Sequence, residues 1–322
     1  MQFLQIGDCR LPVKDYECSE NGVYPEKTRL QLWLYLELND ACPANCPFCV
    51  YRAGQGRSVP GGKLDPRRLE QILTEIRPFV RGVSLTGGEP MLEPGHVEQI
   101  VRVIRDTLPP EIELDLVTNG VNLARLPTLE GLSRFATVHI SRHAADDAQN
   151  RGLFGWDGAP SLDALRAVLA DLPDRGASVL NCLLQRQGVC DQCSALAYLE
   201  TAAALGAACV SFIGMFPAND FCRRNAVSPH VLDLAHAPGV TVWNHFRDHG
   251  FCECSAGDYL AEAGYVRYYY RCPGPDPAPA YCRQLVIDPA GRLKTGFGAA
   301  PEIALHPRRK IVSGNAPVET HP

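Results

Sequence analysis

The run Arg29-Leu30-Gln31-Leu32-Trp33-Leu34-Tyr35-Leu36-Glu37-Leu38-Asn39-Asp40-Ala41-Cys42-Pro43-Ala44-Asn45-Cys46-Pro47-Phe48-Cys49 joins a strand pattern to a metal-ligand spacing. Leucine at every second position from Leu30 to Leu38 has the period of a β-strand with one buried face. Three cysteines at C-x3-C-x2-C spacing follow at once. Three thiolates can hold three corners of a cubane iron–sulfur cluster and leave its fourth iron without a protein ligand. A structural metal site is closed, whereas a catalytic one keeps a position open. Half of a zinc ribbon would want a second C-x2-C pair about 15–20 residues later. The next cysteine here is Cys182.

Short β runs then alternate with helical stretches. Asp65-Pro66 opens a helix to about Arg77, with a cap followed by proline in the first turn. Strand two is Gly82–Leu85. Pro94 opens a helix through Leu108 with Val97, Ile100, Val101 and Ile104 on one face. Strands three and four are Ile112–Val117 and Ala136–Ile140. Ser161 caps a helix to about Leu172, and Ser178–Leu184 is strand five. A helix at Ala195–Leu205 leads into strand six, Ala208–Ile213. Six βα units in succession predict an α/β fold with a parallel sheet, curled by βαβ handedness into a partial (β/α)6 TIM-like barrel. The polar motifs all fall at carboxyl ends of strands, where such barrels place their chemistry. Those after strands three to six are Thr118-Asn119-Gly120, Ser141-Arg142-His143, Gln185-Arg186 and Gly214-Met215-Phe216-Pro217.

After strand two comes Thr86-Gly87-Gly88-Glu89-Pro90, some forty residues past the cysteines. Glycines let a backbone approach a ligand closely, and a glutamate can accept from an ammonium. The cysteine run and this turn together resemble the radical S-adenosylmethionine (radical SAM) superfamily. The resemblance implies a [4Fe-4S] cluster on Cys42, Cys46 and Cys49, with SAM chelating the open iron. It implies that Gly87, Gly88, Glu89 and Pro90 meet the SAM amino group, that Phe48 lies beside SAM, and that Asn119 and Ser141 contact its carboxylate and ribose. Reductive cleavage of SAM to a 5′-deoxyadenosyl radical and hydrogen abstraction from a substrate follow from the same resemblance. Arg142 and His143 are the candidate catalytic or substrate-contacting residues. A one-electron reductant such as flavodoxin or ferredoxin is the implied partner.

Composition excludes several alternatives. A net charge of −5 and no basic block longer than Arg308-Arg309-Lys310 give no footprint for nucleic acid. No apolar run reaches membrane-spanning length, and the first residues lack a basic start and a long apolar segment, so no signal peptide is expected. The chain is expected to be cytoplasmic. Its 14 cysteines in 322 residues then read as reduced thiols serving metal, since disulfide scaffolds are short secreted chains.

The expected organisation is an N-terminal extension (1–28), the barrel (29–239), a C-terminal subdomain (240–300) and a tail (301–322). The subdomain holds a β-hairpin with its turn at Asp288–Gly291 and four cysteines, Cys252, Cys254, Cys272 and Cys282. Four thiolates suffice for a closed auxiliary [4Fe-4S] cluster. His245 and His249 with Cys252 and Cys254 make a rival zinc set, and unligated core cysteines are the third reading. The hairpin resembles the auxiliary-cluster region of the molybdenum-cofactor GTP cyclase branch, although Gly296 stands where that branch has its last cysteine. Cys190 and Cys193 form a further pair that could bind metal or donate a thiol near the site's mouth; Cys9, Cys18, Cys182, Cys209 and Cys222 read as structural or unassigned.

That branch binds its nucleotide through cationic side chains. The matching positions here hold Tyr35, Ser84, Val179, Gln284 and Val286, and a triphosphate needs cations and directed donors. The leading expectation is a radical SAM enzyme acting on a peptide or small metabolite. A cyclase-like enzyme with altered nucleotide contacts and a non-catalytic iron–sulfur or zinc protein are the alternatives.

Overall fold

The computed structural model describes residues 2–7, 9–13, 32–49, 62–172, 178–207, 209–215, 219–227, 240–244, 255–261, 264–270, 284–297, 300 and 302–305. Strands β1 (Gln2–Ile6) and β2 (Cys9–Val13) pair as an antiparallel hairpin that the sequence pattern did not suggest. The six expected barrel strands follow as β3 (Leu32–Glu37), β4 (Val80–Thr86), β5 (Glu113–Thr118), β6 (Thr137–Ser141), β7 (Ser178–Leu184) and β8 (Cys209–Gly214). They lie side by side in chain order, every pair parallel.

The sheet continues past both ends of this set. After β8 come β9 (Val240–Asn244), β10 (Ser255–Ala261) and β11 (Gly264–Tyr270), with β11 parallel to β8 and the three joined antiparallel. At the other edge the predicted hairpin forms β12 (Gln284–Ile287) and β13 (Leu293–Lys294), and β12 runs parallel to β3. The hairpin is therefore part of the same eleven-stranded sheet as the barrel strands.

Helices α1 (Pro66–Ile76), α2 (Pro94–Thr107), α3 (Asp147–Phe154), α4 (Leu162–Asp171), α5 (Gln192–Leu205) and α6 (Asp220–Asn225) fill the crossovers. Their starts follow local chemistry. The Asp65 side chain accepts from Arg67 N at 3.1 Å and Ser161 Oγ from Ala164 N at 3.2 Å. The α2 face predicted from period 3.6 is the buried one: Val97, Ile100, Val101 and Ile104. Leu32, Leu34 and Leu36 meet these helices from β3 in one hydrophobic core, and each such side chain contributes about 1.5–3 kcal/mol on burial. Short helices α3 and α6 escaped the sequence reading. Their signals were the caps Asp146 and Asn219 and, for α3, Gly155 in the left-handed region at its end.

Candidate active site

The cysteine loop leaves β3 and is held by backbone and by neighbours from late in the chain. Leu38 N donates to Thr86 O at 2.8 Å and Gly88 N to Asn39 O at 2.7 Å, stitching the loop to the turn after β4. Asn45 N donates to Phe154 O at 2.8 Å, at the end of α3. Asn219 Nδ2, from the cap of α6, donates to Pro47 O at 3.0 Å. Phe48 is buried in a small apolar cluster with Ala144, Leu153, Met215 and Cys222. The three thiols themselves are half-buried and in no disulfide. Cys46 Sγ lies 3.7 Å from Phe154 O, and Cys42 Sγ accepts from Asn119 Nδ2 at 3.4 Å.

The Gly87–Pro90 turn needs both glycines. Gly87 has φ +128°, in the region L side chains avoid. A Cβ on Gly88 would lie 2.2 Å from Ala41 O, in the cysteine loop's own backbone. Glu89 is fully buried. Its carboxylate accepts from Met91 N at 2.8 Å, Thr118 Oγ1 at 2.6 Å and Asn119 N at 2.6 Å. Asn39 completes the knot, donating Nδ2 to Glu89 O at 2.9 Å and accepting from Glu89 N at 3.3 Å. Burial raises the Glu89 carboxyl to about 7, although all three donors favour the ionised form. Glu89 thus braces three loops, its side chain holding those after β4 and β5 and its backbone, through Asn39, the one after β3. Asn39 and Thr118 belong to this brace; sequence reading missed Asn39, whose only signal was its place at the strand end.

Arg142 is turned inward: the residue is 1% exposed, and its guanidinium pairs with Asp147 at 2.8 Å and donates to the Ala145 and Pro160 carbonyls. Asp147 also accepts from Leu162 N at 3.1 Å, so the pair ties β6's end to α3 and α4. A desolvated guanidinium needs such a partner, which turns the side chain inward. His143, next to it, does reach the cysteine loop. Its ring meets Phe48 edge-on with centroids 5.0 Å apart, and lies 4.9 Å from Phe154. Nδ1 accepts from Leu183 N at 3.1 Å, so any ring proton sits on Nε2. Burial, with Arg142 adding to it, holds its pKa down at about 3. His143 is a neutral ring at working pH. Ser141 closes β6, its backbone paired with Asn181.

Below the strand ends, the face opposite the helices is polar. Trp33 Nε1 donates to Ser84 Oγ at 2.8 Å, and Ser84 to Asp115 at 3.4 Å. Thr137 donates to Asp115 at 2.6 Å and meets His139 Nε2 at 2.8 Å, while His139 Nδ1 meets Asn181 Oδ1 at 3.0 Å. The chain crosses β3 to β7. Register places Tyr35, Ser84, Val286 and Gln284 on this same face. Glu37, buried at the carboxyl end of β3, has its pKa raised to about 7 by burial, with Lys294 opposing.

Among the described residues no three His, Cys, Asp or Glu side chains converge on a single ion. A cubane spreads its thiolates over separate irons, wider than one ion's shell, and the donor set offered here is three half-buried free thiols, Cys42, Cys46 and Cys49, beside a close-approaching glycine turn. Cys190 and Cys193 stand at the start of α5, Cys193 exposed. Cys252, Cys254, Cys272, Cys282, His245 and His249 lie outside the described residues. Among the described residues no helix is long and apolar enough to cross a membrane.

Comparison with known proteins agrees on the central segment. The radical SAM superfamily profile matches residues 36–184. A probable GTP 3′,8-cyclase of Thermococcus kodakarensis is 30% identical over 142 residues, covering 44% of this chain and 42% of the relative. The GTP 3′,8-cyclase of Pelotomaculum thermopropionicum is 32% identical over 144 residues, 41% of this chain and 43% of its own length. This chain thus spans less than half of the curated relatives it matches. Streptococcus suis SuiB bound to S-adenosylmethionine overlaps with a TM-score of 0.46 at 16% identity, over 60% of this chain and 43% of SuiB.

Proposed function

We propose that the chain is a radical SAM enzyme acting on a peptide or small metabolite, a reading supported by the match of residues 36–184 to the radical SAM superfamily. The observation that carries this reading is the meeting of the Cys42–Cys49 loop with the Gly87–Pro90 turn at adjacent strand ends, joined by Gly88 N to Asn39 O at 2.7 Å. Cys42, Cys46 and Cys49 would hold a [4Fe-4S] cluster with one open iron. That cluster and SAM, when bound, supply reductive S–C5′ cleavage and hydrogen-atom abstraction.

The chain's own residues shape the site. Gly87 and Gly88 let the turn's backbone lie close, and its carbonyls would receive the SAM amino group, while the Glu89 carboxylate accepts from Met91, Thr118 and Asn119. Phe48, backed by His143, forms an apolar wall, and Ser141 and Asn119 offer polar groups for the carboxylate and ribose. Glu37, its carboxyl raised to about 7 by burial at a strand's carboxyl end, is the proposed group to hold or release a proton. Flavodoxin or ferredoxin is the proposed electron donor, and Cys252, Cys254, Cys272 and Cys282 are the proposed ligands of an auxiliary cluster.

Anaerobically reconstituted protein with reductant is expected to convert SAM to methionine and 5′-deoxyadenosine. An iron content near eight per chain supports two cubanes and near four supports one. Absence of 5′-deoxyadenosine in protein that carries its iron contradicts the proposal.

GTP cyclisation is the second reading, favoured by the names of the relatives. The sheet face weighs against it: among the described residues Tyr35, Ser84, Gln284 and Val286 stand there, with buried Lys294 and with Arg81 5.6 Å from the Trp33 ring as the cations. GTP added to the reaction separates the two, because only a cyclase yields a pterin precursor.

A further inference from the structure

We infer that Asn119 raises the reduction potential of the cluster on Cys42, Cys46 and Cys49 by donating a side-chain N–H to the Cys42 sulfur. The inference rests on the cluster reading proposed above. Asn119 Nδ2 lies 3.4 Å from Cys42 Sγ, a normal separation for an N–H···S hydrogen bond.

The orientation of that amide follows from the chain. Asn119 Oδ1 accepts from Val121 N at 3.0 Å, closing a turn over its own backbone. A flipped amide would set its NH2 against the Val121 N–H and its oxygen against the sulfur, so the nitrogen must face Cys42. The backbone is held as firmly. Asn119 N donates to Glu89 Oε2 at 2.6 Å, and Thr118 Oγ1, bound to the same carboxylate, accepts from Gly120 N at 3.0 Å. Asn119 is 8% exposed. The donor is therefore in place before any metal arrives, and little side-chain freedom is lost in using it.

Reduction of a [4Fe-4S] cluster adds one electron, supplied by the external donor, and part of that charge resides on the thiolate sulfurs. A fixed N–H favours the more negative form, and low local polarity strengthens the effect. Hydrogen bonds to the sulfurs are among the levers that set cluster potentials. Cys46 has a different surrounding: its sulfur faces the Phe154 carbonyl at 3.7 Å. The loop after β5 thus acts on one chosen corner. Glu89, by gripping Thr118 and Asn119, is a positioning residue for this donor.

The test is an EPR-monitored redox titration of anaerobically reconstituted protein. Asn119→Asp keeps the acceptor for Val121 N and replaces the donor by a carboxylate oxygen. Asn119→Leu removes the donor without adding charge. Both midpoints are expected to move negative, N119D further than N119L, with iron content per chain retained. An unchanged midpoint in iron-replete variants overturns the inference. Should either variant misfold, the unaltered sequence decides. With 15N in the asparagine side chains, electron–nuclear double resonance of the reduced cluster should detect a coupled nitrogen and an exchangeable proton. Their absence overturns the inference as well. Wild-type protein that takes up no iron removes the cluster reading itself, and is recognised before any midpoint is compared.

Discussion

Cys42, Cys46 and Cys49 are half-buried on a loop gripped mainly through its backbone, while Glu89 has almost no exposed surface and its carboxylate accepts from Met91, Thr118 and Asn119. The two segments touch, yet they do opposite work. The loop presents side chains and borrows its shape from Phe154, Asn219 and Gly88. The turn withdraws its charged side chain and presents backbone. A site that must bind a cluster and a cofactor needs open ligands on a rigid base, and here one segment supplies the ligands and the other the rigidity. Arg142 with Asp147 repeats the second pattern at the next strand end but one.

The comparison breaks first at the ligands. Cys46→Ala is expected to abolish SAM cleavage and reduce retained iron, since one corner of the cluster is lost; Cys193→Ser, an exposed thiol at α5, should leave both intact. Product analysis by chromatography and an iron assay check it. Equal cleavage in C46A would detach the loop from the chemistry.

The next effects fall on the brace and appear as stability. Gly88→Ala is expected to cost about 3 kcal/mol, because the new Cβ meets Ala41 O at 2.2 Å. Gly95→Ala, in α2 with nothing within 4 Å, should be neutral or stabilise by up to about 1 kcal/mol. Asp147→Asn is expected to cost about 3 kcal/mol by leaving the Arg142 guanidinium poorly compensated, with 5′-deoxyadenosine formation per folded molecule largely kept. Denaturant melts report all three. A normal melt with lost turnover in D147N would return Arg142 to the site.

The smallest effects are in pH. Burial lifts the Glu89 carboxyl from 4.5 to about 7. Between those values the folded chain keeps a proton that the unfolded chain releases, so stability falls as pH rises through that window. Glu89→Gln is expected to flatten this fall at a cost of about 2 kcal/mol for the mismatched donors; Glu37, raised to about 7 as well, keeps part of the slope. His143 acts oppositely. Its pKa drops from 6.5 to about 3, so stability is lost as pH falls from 6.5 toward 3, and His143→Phe should lessen that loss. Unfolding free energies across pH 3–8, a range spanning these pKa values, test both signs.

Much of this was legible in the residues. The leucine alternation of β3, the caps Asp65 and Ser161 and the buried stripe of α2 are local patterns, and local patterns determined the six parallel strands in order. The cysteine spacing and the glycine turn were legible for the same reason: chemistry imposes them over a few residues. What a sequence pattern cannot display is which way a polar side chain at a strand end turns. Arg142 read as a site cation because its partner Asp147 lies past a bend, on a helix too short to have a period. Glu89 read as an open acceptor because two of its three donors, Thr118 and Asn119, come from about thirty residues downstream. The parallel seating of β12 on β3 is a pairing across most of the chain and leaves no mark in either strand alone.

The central claim, that Cys42, Cys46 and Cys49 leave one iron open for SAM, is tested most directly by EPR of the reduced cluster with and without SAM labelled in its amino and carboxylate groups. The account predicts that adding SAM changes the spectrum and that the labels couple to the cluster, in wild type and in a variant with Cys252, Cys254, Cys272 and Cys282 replaced by serine. An unchanged spectrum with no label coupling, or a site filled by zinc, would contradict it.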